Sequence, residues 1–375
     1  MSTPRWRIVH SEASAGWGGQ EHRVVAELTG FQRRGHPVWL LAPPAAQITQ
    51  RAQAAGVPVL AMSGERWRFP FDALRLAWWL RREQIQIVNT HSSRDGWLVG
   101  TAARLARVPL LIRSRHIDLD YPRPWISRPA FTTLADHVLA TSDKITTKFQ
   151  QLFQIPADRI STVPTGIDIT RFQPAGPKAA LELPPAVTGL PLVGMISVLR
   201  SGKGHPTFLQ AARELNEGPC GRRAHFLIVG GGAPREAMEK MVRDHGAESH
   251  VTLTGHREDV PELLRTLQVM VIPSLHEGIP QIGLQALACQ TPVVGSDSGG
   301  IPEIIRAGET GRIFPAGDAG ALARTITEAL DQPDATRAMA ARGRELVEHR
   351  YSQDTMLDVL EGIYRRYLKD PSKRT

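Results

Sequence analysis

The chain has 375 residues, enough for two domains of ordinary size. Hydrophobic residues make up 42% and charged residues 22%, which excludes disordered and fibrous classes, and two cysteines exclude a disulfide framework. The net charge of +8 is uneven: the first 175 residues carry 22 Lys and Arg against 13 Asp and Glu, the remainder 23 against 24, so the first half should meet something anionic.

Taken in chain order, short apolar strands alternate with amphipathic helices. Strands are predicted over 6–9, 38–42, 85–88, 110–112 and 137–140, with helices between them such as 21–34 and 71–83. The rhythm breaks over 172–191, where Pro174, Gly176, Pro177, Pro184, Pro185, Gly189 and Pro191 crowd together and suggest a linker. It restarts with strands over 192–198, 225–229, 251–253, 269–272 and 292–295, and a last helix is expected over 352–368. Repeated βα units predict an α/β chain with two Rossmann-like parallel-sheet domains. The expected boundaries are 1–175, a linker over 176–191, a second domain over 192–350, and a C-terminal helix over 351–375 that packs back on the first domain. The N-terminus has no apolar run of signal-peptide length and no stretch reaches about 18 apolar residues. With Cys220 and Cys289 showing no metal-ligand spacing, a cytoplasmic protein is expected.

Parallel sheets bind ligands at the carboxyl ends of their strands, so the loops there carry the interest. Three combine glycine with a helix start. The first is Gly16-Trp17-Gly18-Gly19-Gln20-Glu21, where backbone can approach a ligand and a helix N-terminus offers free N–H groups; its plain alternative is a tight turn. The second is Leu199-Arg200-Ser201-Gly202-Lys203-Gly204-His205, whose two cations suit a diphosphate, or simply a solvated basic turn. The third is Pro273-Ser274-Leu275-His276-Glu277-Gly278-Ile279-Pro280, directly before a helix from Gln281; there Glu277 serves a site or only compensates the helix dipole. Gly230-Gly231-Gly232 also follows a strand, but Arg235 stands where a dinucleotide fingerprint needs its third glycine.

These three loops, in this order, resemble family 4 of the GT-B glycosyltransferases over nearly the whole chain. The most specific stretch is Pro273 to Pro280, continuing through Gln285-Ala-Leu-Ala-Cys-Gln-Thr-Pro-Val-Val294 and Gly299-Gly300-Ile301-Pro302-Glu303. Pro164-Thr165-Gly166-Ile167-Asp168 with Phe172 and Pro174 looks like the family segment before the linker. The resemblance implies two domains facing across a cleft and retaining transfer from a nucleotide-diphosphate sugar, a UDP-sugar first among them, with no other cofactor and no metal. It implies that Arg200 and Lys203 hold the diphosphate and that Gly18 and Gly19 bring backbone close to phosphate and sugar. Glu277 would orient the sugar, amides at Gly278 and Ile279 would add contacts, and Gly255 and Arg257 would join the donor site. His91 looks like the family's histidine near the donor sugar; its plain alternative is a strand-end histidine bonded to a neighbouring loop. The family's second glutamate is Gln285 here, which can still accept from a ribose hydroxyl but as a neutral group.

In such a reaction negative charge grows on the leaving phosphate, and cations with helix N-termini stabilise it without a metal. No carboxylate presents itself as the nucleophile of a double displacement, so a front-face route is expected. The acceptor should sit on the basic half, with Arg115 and His116, and Arg113 nearby, as candidates. Arginines interleaved with aromatics over 66–82 (Arg66-Trp67-Arg68-Phe69-Pro70-Phe71, Arg75, Trp78, Trp79, Arg81, Arg82) suit an anionic membrane surface at the inner face. Alternatively, Leu74, Ala77, Trp78 and Ile85 all face the sheet. By family analogy the acceptor is a glycan or lipid-linked carrier of lipopolysaccharide or polysaccharide assembly. The rivals are a nucleotide-dependent oxidoreductase or epimerase, which lacks its fingerprint here, and a non-catalytic basic binding protein. No nucleic-acid module appears.

Overall fold

The computed structural model describes residues 5–62, 68–116, 121–218, 224–232 and 235–369. The expected contributions of Arg66, Trp67 and Cys220 lie outside the described residues, and Cys289 is a buried free thiol. Contacts divide the chain into two compact units, one ending at Gly166 and regained from Gln353, the other running Ile167–Ser352.

The first unit runs β1 (Ile8–Ser11), α1 (Gly19–Arg33), β2 (Val38–Ala42), α2 (Gln47–Ala54), β3 (Val59–Ala61), α3 (Phe69–Arg82), β4 (Ile87–Thr90), α4 (Ser93–Ala106), β5 (Leu110–Arg115), α5 (Pro124–Thr132), β6 (His137–Ala140), α6 (Asp143–Phe153) and β7 (Ile160–Thr162). Its seven strands are parallel, in the order β3-β2-β1-β4-β5-β6-β7. The strands are apolar on both sides because both faces are covered by helices. Val24, Leu28 and Phe31 of α1 share one core with Ile8, Leu40 and Ile112; Leu76, Leu80, Leu98 and Val99 share another with Val9 and Val88.

The second unit runs β8 (Leu192–Ile196), α7 (His205–Glu217), β9 (His225–Val229), α8 (Arg235–Asp244), β10 (Val251–Gly255), α9 (Val260–Thr266), β11 (Val269–Ile272), α10 (Gln281–Ala288), β12 (Val293–Ser296), α11 (Ile301–Ile304), β13 (Arg312–Phe314), α12 (Ala319–Asp331) and α13 (Pro333–Arg350). Its parallel sheet is ordered β10-β9-β8-β11-β12-β13. The last helix, α14 (Gln353–Lys369), lies in the first unit, where Met356, Leu357, Leu360, Ile363 and Tyr364 enter the core beside α1. Arg34 at the end of α1 ties it down through Asp358 (2.7 Å) and Glu361 (3.0 Å).

Three differences from the sequence reading have clear causes. β3, β7 and β13 are only three residues long, too short to show an alternation. The expected linker over 176–191 is packed on the second unit, and the chain instead crosses between units after Gly166 and after Ser352. Proline-rich backbone lacks donors of its own, so neighbours supply them: Arg265 donates to Gln173 O and Pro177 O, and Arg257 to Ala180 O. Ala179, Leu181 and Leu183 then pack on the second unit's core. The third concerns α3, which buries Ala73, Leu76, Ala77 and Leu80 but turns Phe71 (71% exposed), Leu74 and Trp78 to solvent.

Each sheet reverses its strand order once, between β1 and β4 in the first unit and between β8 and β11 in the second. A crevice opens at the carboxyl ends of such a strand pair, and this is where α/β sheets bind ligands.

Candidate active site

In the second unit the reversal lies between the loops after β8 and β11, which carry Lys203 and Glu277. The two loops cross at backbone distance. Gly204 (φ +79°) has no room for a Cβ, which would overlap the Pro273 carbonyl, and Leu275 N donates to Gly202 O at 2.8 Å. That crossing brings the Lys203 ammonium onto Glu277 Oε2, which also accepts from Ser274 Oγ at 3.1 Å. From the other side Gly300 N donates to Glu277 O at 3.1 Å, and Gly299 (φ +60°) leaves no space for a side chain against the same carbonyl. Among the described residues the amides of Gly278 and Ile279 meet no acceptor, and the space beside Gly278 is open. They stand at the N-terminus of α10, where amide protons and the helix dipole attract an anion.

The other expected donor residues are placed unequally. Arg200 is exposed at the rim of the same loop. Gln285 is half-buried on α10. Gly255 (φ +74°) ends β10, and its carbonyl accepts from Gly230 N at 2.9 Å. Arg257 is paired with Asp259 through Nε and Nη2, at 2.7 and 2.5 Å. The Gly230-Gly231-Gly232 run serves loop packing: Leu199 N donates to Gly231 O at 2.8 Å, and a Cβ at Gly230 would strike Ser197 O.

In the first unit the reversal is knotted by Asp95, near the N-terminus of α4. Its Oδ2 accepts from Ser11 Oγ (2.6 Å) and His91 N (2.9 Å), and its Oδ1 from Ser92 N (2.8 Å) and Ser92 Oγ (2.5 Å). Arg113 lies across the same turn, and Gly96 is required there because a Cβ would occupy its guanidinium. Gly18 caps α1, but its N–H donates to Glu21 Oε2 at 2.9 Å, so the expected contribution of that amide to a phosphate is already taken within the chain. Gly19 is the first residue of α1.

His91 is fully buried, and both of its ring nitrogens are engaged: Nδ1 with His116 Nε2 at 2.8 Å and Nε2 with His10 Nδ1 at 3.0 Å. With both nitrogens engaged by neighbouring rings, His91 has no free ring nitrogen to offer a ligand in this arrangement. His116, half-buried after β5, is the end of this chain that reaches the surface. Arg115 is buried, with its guanidinium 5.9 Å from the Tyr121 ring centroid. Beyond His10 stands Glu27, also fully buried, whose Oε2 lies 3.7 Å from His10 Nδ1 and whose Oε1 accepts from Arg23 Nε at 2.6 Å.

The sequence reading missed His10, Glu12, Arg23, Glu27 and Asp95. One signal was present: Arg23 and Glu27 are charged at a four-residue spacing on the face of α1 that also carries Val24, Leu28 and Phe31. Glu12 follows β1, fully buried, and burial beside Asp95 pushes its carboxyl up to about 7. Among the described residues, His10, Glu27 and His91 bring ligand-type atoms within 4.8 Å of one another. The Arg23 guanidinium on Glu27 opposes a divalent cation there.

Burial lowers His10 to about 4 and holds His91 and His116 well below the ordinary value of 6.5. These rings stay neutral in the fold but protonate in the unfolded chain, which therefore binds more protons between pH 6.5 and about 4. Stability falls as pH drops through that window. At about 1.4 kcal/mol per unit, His10 alone accounts for about 3 kcal/mol. Glu12 has the opposite sign, gaining the fold stability as pH falls from about 7 to 4.5, and Asp95, also raised, acts in its direction. Three histidines outweigh two carboxyls, so the urea midpoint is expected to drop between pH 7 and pH 5. An unchanged midpoint would contradict the neutral buried rings.

Two family models match. One, described as Glycosyl transferases group 1, matches residues 184–346; the other, described as Glycosyltransferase Family 4, matches residues 17–171. Alpha-D-kanosaminyltransferase of Streptomyces kanamyceticus is 27% identical over 307 residues, covering 76% of this chain and 78% of that protein. A GDP-mannose-dependent alpha-(1-6)-phosphatidylinositol monomannoside mannosyltransferase of Mycobacterium tuberculosis is 28% identical over 286 residues, covering 72% of each. Among solved structures, Anabaena HepE in complex with UDP superimposes with a TM-score of 0.81 at 19% identity, over 96% of this chain and 100% of the other.

Proposed function

The chain belongs to family 4 of the GT-B glycosyltransferases and uses a nucleotide sugar, and from that premise we propose a retaining transfer from a UDP-sugar to a lipid-linked or glycan acceptor of cell-surface polysaccharide assembly. The observation that carries the donor half is the Lys203–Glu277 pair beside two amides without acceptors at the N-terminus of α10. Lys203 and Arg200 take the pyrophosphate with the amides of Gly278 and Ile279. The charge that grows on the leaving phosphate is met by these groups, and the transfer needs no metal. Glu277, held by Lys203 and Ser274, accepts from sugar hydroxyls and orients the anomeric carbon. A carboxylate so engaged is poorly disposed to act as a nucleophile. This supports a front-face route in which the leaving phosphate takes the acceptor proton. A covalent sugar trapped on Glu277 would refute that route.

HepE holds UDP, which supports a uridine donor, while the mannosyltransferase named above takes GDP-mannose. A thermal-shift screen with UDP, GDP, ADP and NAD tests the proposal. UDP is expected to give the largest shift, and a ligand at about 100 times its dissociation constant stabilises the fold by about 2.7 kcal/mol. A response to NAD alone would turn the reading toward an oxidoreductase.

The acceptor half draws on α3. Its outward stripe of Phe71, Leu74 and Trp78 is set among exposed Arg68, Arg75, Arg81 and Arg82, with Arg82 stacked 5.3 Å from the Trp78 ring centroid. Apolar rings among cations fit an anionic lipid surface, which would bring a lipid-linked acceptor to the first unit. No helix among the described residues is long and apolar enough to cross a membrane. The protein is expected to float with vesicles containing anionic lipid and not with neutral ones. The triple variant Phe71→Ser, Leu74→Ser, Trp78→Ser should lose most of that binding, since each buried apolar side chain contributes about 1.5–3 kcal/mol. Equal flotation of variant and native protein would remove α3 from the proposal.

A further inference from the structure

The buried histidines of the first unit form a continuous chain with a defined polarity. Glu27 on α1 stands at one end, then His10 on β1, His91 after β4 and His116 after β5. Each contact between rings is nitrogen to nitrogen, so each holds one proton. A neutral imidazole brings one N–H. The direction chosen at one end therefore fixes the tautomer of every ring.

Two features choose the direction. If His10 carries its proton on Nδ1, that N–H points at His91 Nε2 and towards the Glu27 carboxylate; if not, a bare lone pair faces that carboxylate 3.7 Å away. His10 Nε2 is buried without a partner, and an unpaired buried acceptor is better tolerated than an unpaired buried N–H. Both put the proton on His10 Nδ1. His91 then accepts at Nε2 and donates from Nδ1 to His116 Nε2, and His116 must carry its own proton on Nδ1. Among the described residues that nitrogen has no partner.

We infer that Glu27 and His10 are positioning residues which, through His91, lock His116 as the Nδ1–H tautomer so that it presents a hydrogen-bond donor to a ligand oxygen. Arg23 serves this by holding the other oxygen of Glu27 and by donating to Val163 O at 2.6 Å. Thr141 Oγ1, on the His116 carbonyl at 3.3 Å, fixes the backbone at the far end. His116 so prepared donates to a hydroxyl or phosphate oxygen and cannot act as a base through its outward nitrogen. This role rests on the transferase reading, but the tautomer itself does not.

Long-range proton–nitrogen correlation spectra of the ligand-free protein with ¹⁵N-labelled histidine read each tautomer directly. The expected result is a protonated Nδ1 and a bare Nε2 on His91 and His116. A bare Nδ1 on His116, or a charged ring at neutral pH, overturns the inference whatever the donor proves to be. So does stoichiometric zinc uptake that shifts His10 and His91 together, since it would make the cluster a metal site. Glu27→Gln turns a donor towards His10 Nδ1 while still accepting from Arg23, and it should reverse the chain. His116 would then show a bare Nδ1, and kcat should fall about tenfold with KM for the nucleotide sugar within about twofold. An unchanged His116 tautomer in folded Glu27→Gln also overturns it; should that variant not fold, the native spectrum alone decides.

Discussion

Lys203→Ala is expected to lower kcat/KM by about 10²–10³ and to abolish the thermal shift given by UDP. A positive group aimed at growing negative charge contributes about 2.7–4 kcal/mol in comparable oxyanion sites. The loss should exceed that of Arg200→Ala, because Lys203 is held in place by Glu277 whereas Arg200 is exposed at the rim. Lys203→Arg keeps the charge but moves it outward along a longer, planar side chain, so partial recovery is expected. Steady-state kinetics with circular dichroism as the control for folding decides the matter. A folded Lys203→Ala protein with near-native turnover would remove the second-unit site from the reaction.

Arg23→Ala is expected to cost about 3–5 kcal/mol of stability, as breaking one side of a buried ion pair does. Arg23 and Glu27 are both buried, the guanidinium joins α1 to the chain beyond β7 through Val163, and its loss strands a carboxylate away from water. Removing both charges as Arg23→Met/Glu27→Met should restore most of the loss, since no uncompensated charge then remains. Urea unfolding of the two variants beside the native protein measures this. A cost below about 1 kcal/mol for Arg23→Ala would mean that water reaches Glu27.

The legibility of the molecule followed the range of its interactions. Repeated βα units showed in the sequence because strand and helix periodicities are local, and ten of the thirteen strands among the described residues are four residues or longer. The loops bearing Lys203 and Glu277 showed because glycine and proline punctuate them. The stretch over 176–191 misled because proline density marks irregular backbone whether it hangs free or packs, and only Arg257 and Arg265 reaching its carbonyls separate the two. Leu74 and Trp78 misled for a related reason. Their spacing allows either face of α3 to be the buried one, and packing against the sheet chose Leu76 and Leu80.

Read alone, the sequence determined the α/β class, the doubled architecture and the glycine-bearing loops that resemble family 4 glycosyltransferases, since each is written in neighbouring residues. The pairing of Lys203 with Glu277, 74 positions apart, needed the tertiary structure. So did the histidine chain, which joins positions 10, 91 and 116 to a glutamate on α1. Strand order decides which carboxyl ends become neighbours, and strand order is set by packing across the whole sheet, which no local pattern encodes.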